Sequence, residues 1–113
     1  MKIEDFKDKL NSKQEVAFTD TMTVIEANYE FTPTAFTNGK LKNNAGENSG
    51  SCKLFAFASI QKLSKEETLA CFGKYYTEEV LQDIEGTGHQ NIRNFMATGF
   101  DGISFDGEAL TTK

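Results

Sequence analysis

Ile3, Phe6 and Leu10 stand three and four residues apart, which sets them on one face of a short helix. Phe18, Met22, Ile25 and Tyr29 repeat that spacing, with Thr19 or Asp20 positioned to cap a second helix. Pro33, the only proline, cannot continue this helix and biases Thr32 towards an extended conformation. The stretch Phe31 to Thr37 therefore reads as extended, and Asn38–Gly39 signals a turn.

From Asn38 to Ser51 the chain is dominated by Asn, Gly and Ser, a length that marks a functional or mobile connection. A third helix is expected from about Cys52 to Lys62. It is apolar nearly all round (Leu54, Phe55, Ala56, Phe57, Ala58, Ile60, Leu63), the pattern of a central, buried helix. Ser64-Lys65-Glu66-Glu67 fits a capping box. Leu69, Phe72, Tyr76, Val80 and Ile84 then recur at helical spacing, with a break at Gly73 and a stop at Gly86. Thr87-Gly88-His89-Gln90 reads as a second capping box, and Ile92, Phe95 and Met96 give the following helix its buried face. Near the end, Ile103 and Phe105 alternate between two Asp-Gly turns as one short strand, whose natural partner is the extended piece at Phe36. The expected architecture is one domain over residues 1–113, mostly α within the α+β class, with a minor two-stranded β element.

Composition narrows the possible partners. The chain of 113 residues is long enough for one core and too short for two. Ten phenylalanines supply its bulk, each worth roughly 1.5–3 kcal/mol when buried. A net charge of −5, with twelve basic residues interspersed among seventeen acidic ones, argues against nucleic acid. No apolar run approaches the ~20 residues that span a bilayer, and the start of the chain has no signal-peptide core. Two cysteines, Cys52 and Cys71, are too few for a disulfide framework and read as reduced thiols.

Chemistry could sit at three places. Cys52 and His89 both fall in the first turn of an expected helix, where free backbone amides act as partial positive charge. Such a position favours a thiolate and a neutral imidazole. Cys52 as nucleophile, His89 as base and Asn91 as orienting group would form a thiol hydrolase or transferase. Against this, a free cysteine is often just a small buried hydrophobe. Gly46–Ser51 could wrap an anion with backbone donors, although Lys53 falls in the wrong place for a phosphate loop and Glu47 would repel phosphate. An ordered loop whose Asn and Ser side chains cap the third helix is the simpler reading. Asp101–Glu108 places Ile103 and Phe105 where calcium needs oxygen ligands, and one histidine without clustered thiols does not suit zinc. No metal and no cofactor are expected.

The segments VIEANYEFTPTAFTNG, AGENSGSCKLFAFA, ETLACFGKYYTEEVL and HQNIRNFMATGFDGISFDGEAL, in this order, resemble the HopJ type III effector family. The resemblance runs from about Val24 to Leu110 and implies a small bacterial protein classed as a type III effector. It carries no established biochemical activity, so it transfers no catalytic residue. Export leaders of effectors tend to be flexible and serine-rich, whereas Met1–Leu10 reads as helical and charged with no serine before Ser12. Residence in the cytoplasm is the first expectation and type III export to a host cell the second.

The function expected on these grounds is a protein-interaction module, monomeric, binding neither nucleic acid nor membrane. Its contact residues would lie in the polar loop: Asn38, Asn44, Glu47, Asn48, Ser49 and Ser51. The Cys52/His89 enzyme is the alternative.

Overall fold

The computed structural model describes residues 2–113. Half the chain is helical and 13% is strand, so the α+β, mostly helical class holds. Two helices open the chain, α1 (Ile3–Asn11) and α2 (Phe18–Asn28). The first buries Phe6 and Leu10, as their spacing requires. The second is capped at Ala17, ahead of the expected Thr19 or Asp20, and Asp20 reaches back to accept the Ala17 backbone N–H at 3.1 Å. The chain then runs through β1 (Tyr29–Phe31), β2 (Phe36–Asn38) and β3 (Leu41–Asn43) into α3 (Ser49–Gln61). After α3 come α4 (Lys65–Ala70), α5 (Lys74–Thr77), α6 (Gln90–Thr98), a single 3-10 turn, β4 (Ile103–Phe105) and β5 (Leu110–Thr112).

The helix α3 is the packing centre. Cys52, Leu54, Phe55, Ala56, Phe57 and Ala58 are all buried. Phe55 reaches Phe36 of β2, Phe72 beyond α4 and Phe95 of α6, with ring centroids 6.2, 5.5 and 5.0 Å away. Two residues on, Phe57 meets Phe6 of α1 and Tyr29 of β1, at 6.0 and 6.1 Å. Residues two apart on a helix point in different directions, so the all-round apolar sequence serves two packing layers at once. The rod ends before Ile60, which is 47% exposed. Lys62 then turns left-handed at φ 56, and the Leu63 N–H closes back on the Ala58 carbonyl at 3.0 Å.

The strands form two small sheets. The order β3-β2-β4 is antiparallel throughout, and Phe36 faces Phe105 as the sequence suggested. A second, two-stranded sheet joins β1 to β5, with Tyr29 opposite Thr112. A single two-stranded element was therefore too few. Both β3 and β5 are three residues long, too short to display a period, and β3 lies inside the Asn-rich stretch that had read as loop.

The run from Leu69 to Ile84 also departs from expectation. Only Lys74–Thr77 continues as helix after Gly73, and residues 78–85 fold as successive turns before an irregular link to α6. Val80 is buried, but Leu81 and Ile84 are 42% and 64% exposed. The fourfold spacing of Tyr76, Val80 and Ile84 was therefore not a buried face. Arg93 replaces the missing helical bonds: its guanidinium donates to the carbonyls of Ile84 and Gly88 and approaches Asp83 at 4.0 Å.

Candidate functional site

The helix α3 starts at Ser49, three residues before the expected boundary, and this displaces Cys52 from the helix entrance. The Cys52 N–H already donates to the Asn48 carbonyl at 2.9 Å, so it sits past the free donors that would favour a thiolate. The thiol is 1% exposed and faces the Thr34 carbonyl at 3.5 Å. Burial pushes its pKa up, with the Thr34 bond acting in the opposite direction. His89 is the N-cap of α6 with left-handed φ 54, and its Nε2 lies 3.0 Å from Glu79 Oε1. The capping box expected from Thr87 is absent, because the Gln90 side chain instead donates to the Thr87 carbonyl. Thiol and imidazole, expected as nucleophile and base, hydrogen-bond different partners, and the thiol is buried. Cys71 is a second buried thiol, 0% exposed and pushed up to about 12 by burial. Both cysteines are free, as expected.

Asn91, expected to orient the imidazole, does something else. Its side-chain oxygen accepts from Asn38 Nδ2 at 3.1 Å and Asn43 Nδ2 at 3.3 Å. Its own Nδ2 donates to Asn43 Oδ1 at 3.1 Å, and Asn38 Nδ2 also reaches the Asn91 backbone carbonyl at 2.7 Å. Asn48 completes the network by donating to Asn43 Oδ1 at 2.6 Å. Four amides therefore bind the β2–β3 hairpin, the α3 N-cap and the first turn of α6 to one another. In a low-dielectric interior such a network is stiff when satisfied and costly when broken. Asn38 Oδ1 alone among the described buried side-chain atoms has no protein partner.

Three asparagines picked from the sequence meet here, Asn38, Asn48 and Asn91, although not in the roles expected. Asn38 is fully buried and cannot touch a partner directly. Asn48 directs its amide inwards instead of capping α3. Asn44, Glu47 and Asn48 are exposed and Ser49 and Ser51 half-buried, on a tight turn in which Glu47 accepts the Asn44 N–H at 2.9 Å. The expected long connection is thus a hairpin, a turn and the start of a helix. Asn43 was missed, because nothing in an Asn-rich stretch distinguishes a buried amide from an exposed one.

Above this network lies a cleft of about 680 Å³. Phe18, Phe72 and Tyr75 form its aromatic wall, and Asn48, Gly50 and Ser51 of α3 face His89 to Ile92 of α6 across it. Phe18 stacks on Phe72 at 6.2 Å, and Tyr75 stands edge-on to Phe18 at 5.3 Å. Gly50 makes this possible: a Cβ there would lie 2.8 Å from Phe18 Cζ. Neither Asn48 nor His89 gives its helix a side-chain cap, and the first turns of both helices line this cleft. The cleft thus combines stacking surface with unspent backbone donors.

A mostly helical α+β scaffold that offers a rigid aromatic cleft, with its thiols buried elsewhere, is the class this geometry defines. The chain matches the model of the HopJ type III effector protein family over residues 3–110 and belongs to that family. It is similar to the crystal structure of the unknown function protein VPA0580 at 56% identity and a TM-score of 0.97, covering 100% of this chain and 95% of that one. No curated protein matches the chain. No helix among the described residues is long and apolar enough to cross a membrane.

Proposed function

We propose that this chain is an effector-type interaction module without chemistry of its own, and that it holds a protein partner in the cleft between the α3 and α6 N-termini. The observation that carries this reading is the pairing of an aromatic wall with uncapped amides from two helices. Stacking surface takes an apolar or planar side chain, while free N–H groups take a backbone carbonyl or carboxylate. The exposed Asn44–Ser51 turn forms the rim and supplies the adaptable polar contacts. The asparagine network beneath it fixes the site in advance, which lowers the ordering cost of binding. Family membership adds delivery to a host cell as the setting in which the partner is met.

The test uses Ser51→Arg, which projects a long side chain into the cleft from a half-buried position, beside Ile60→Ser on the far end of α3. Partners captured by the immobilised chain are quantified by mass spectrometry. Loss of at least ~10-fold in capture with Ser51→Arg, the equivalent of about 1.4 kcal/mol, and retention with Ile60→Ser are expected. Equal capture by all three chains refutes the cleft as the binding site.

A further inference from the structure

α5 and the turns that follow it leave three apolar side chains in water, of which Ile84 was expected on a buried helical face. Tyr75 and Leu81 are each 42% exposed and Ile84 is 64% exposed. The segment that carries them is compact: the Leu81 N–H returns to the Tyr76 carbonyl, Asp83 to Val80 and Gly86 to Asp83. Arg93 clamps its far end through Ile84 and Gly88. The apolar side chains are thus displayed on a fixed support, beside the cleft wall formed by Tyr75.

The charge around them is one-sided. Glu78, Glu79, Asp83 and Glu85 are all exposed on this segment. Glu15 and Asp20 join Tyr75 and Glu79 in lining a smaller groove of about 420 Å³. Two cations lie among them: Lys74, 3.8 Å from Glu78, and Arg93, 14% exposed, which faces Asp83 and two carbonyls. Glu78, Glu79, Asp83 and Glu85 set against Lys74 and Arg93 leave the surroundings of these apolar side chains net acidic.

We propose that Tyr75–Glu85 is a docking face for a basic amphipathic segment of a partner protein, apolar side chains resting on Tyr75, Leu81 and Ile84 and Lys or Arg meeting the surrounding carboxylates. Charge complementarity selects this occupant. A second copy would set acidic face against acidic face across a two-fold axis. An anionic lipid surface or nucleic acid would meet the same repulsion. Tyr75, Glu79, Glu15 and Asp20 also line one groove with Lys74, so a partner cation meets an aromatic ring and three carboxylates there. The inference rests on the interaction-module reading and assigns the chemistry of the partner.

The experiment titrates the full chain, ¹⁵N-labelled, with a helical peptide carrying leucine at every third or fourth position and lysine elsewhere. A twin with glutamate for each lysine is the control. Expected are amide shifts concentrated in Tyr75–Glu85 with the lysine peptide, none with the glutamate twin, and binding weakened ~10-fold by Ile84→Ser and ~10-fold by raising salt from about 0.05 to 0.5 M. Equal binding of both peptides overturns the proposal, as does silence at Tyr75–Glu85. Shifts there that follow the chain's own concentration without peptide make a second copy the occupant and also overturn it. Shifts confined to Asn48–Ser51 and Gln90–Ile92 overturn the docking face while leaving the cleft reading intact. Unchanged lysate capture by Ser51→Arg removes the cleft without touching the peptide result.

Discussion

Gly73 separates α4 from α5 at φ 61, ψ −133, backbone that residues with a Cβ enter only at a cost. Replacing it with alanine adds two penalties. The backbone strain is about 1–3 kcal/mol. The new Cβ would also lie 2.9 Å from both the Phe18 nitrogen and the Val16 oxygen, and 3.2 Å from Ala17 Cα. These are main-chain atoms that cannot rotate away, so the overpacking adds a further ~1–3 kcal/mol. Gly46→Ala is the matched control: its φ is 89, but a Cβ there meets nothing within 4 Å, so only the strain of about 1 kcal/mol remains. Urea unfolding followed by far-UV circular dichroism gives both losses. We expect Gly73→Ala to lose about 2–6 kcal/mol and to exceed Gly46→Ala by at least ~1 kcal/mol. At roughly 4 °C per kcal/mol for a chain of this size, Tm falls by on the order of 10 °C or more. Equal losses for the two variants, or a loss under ~1 kcal/mol for Gly73→Ala, would show that the α2 entry gives way and that the wall built by Phe18, Phe72 and Tyr75 is not held rigidly.

Asn91→Leu removes three side-chain hydrogen bonds from the buried network at similar volume; at about 1 kcal/mol each, a loss of ~2–4 kcal/mol is expected in the same urea assay, and one below ~0.5 kcal/mol contradicts the network's role. Burial raises the folded pKa of both thiols above the unfolded one, so each contributes stability that is full below about pH 8.5 and lost as pH rises above it, for Cys71 up to about 12. Unfolding measured across that range is expected to weaken by up to ~1.4 kcal/mol per pH unit per thiol, with a shallower slope in Cys71→Ala; an identical slope rejects the assignment. At neutral pH iodoacetamide should modify neither cysteine faster than the chain unfolds, and rapid labelling of Cys52 would restore the enzyme reading. Arg93→Met should accelerate hydrogen exchange of the Asp83–Gly86 turn while global stability changes by less than ~1 kcal/mol, because the clamp holds an exposed segment; unchanged exchange rates would show that the turns hold themselves.

The sequence was most legible where one strong local signal met an uncontested environment. Phe6 and Leu10, the Ser64–Glu67 capping box and the apolar run at Leu54–Ala58 all behave as their patterns require. The Phe36–Phe105 pairing was readable because two turn signals framed each strand. Legibility failed where a side chain's meaning depends on what stands opposite. Ile84 shares its spacing with Val80, yet nothing packs above it, and Asn43 looks like its exposed neighbour Asn44 until Asn91 closes over it. Cys52 was placed at a helix entrance by composition alone. The helix starts three residues upstream, at Ser49, and Cys52 is buried in it instead of standing at its entrance. The cleft joins Phe18, Tyr75, Gly50 and His89, which no local pattern connects.

The two sheets have a consequence for biosynthesis. Strands β1 and β2 leave the ribosome long before β4 and β5, their partners at Thr112 and Phe105. Until those arrive, β1 has no strand partner and β2 pairs only with its hairpin neighbour β3, beside the helix-to-helix contacts of the emerging chain. The nascent protein therefore stays open through most of translation and closes both sheets late, within a few residues of each other.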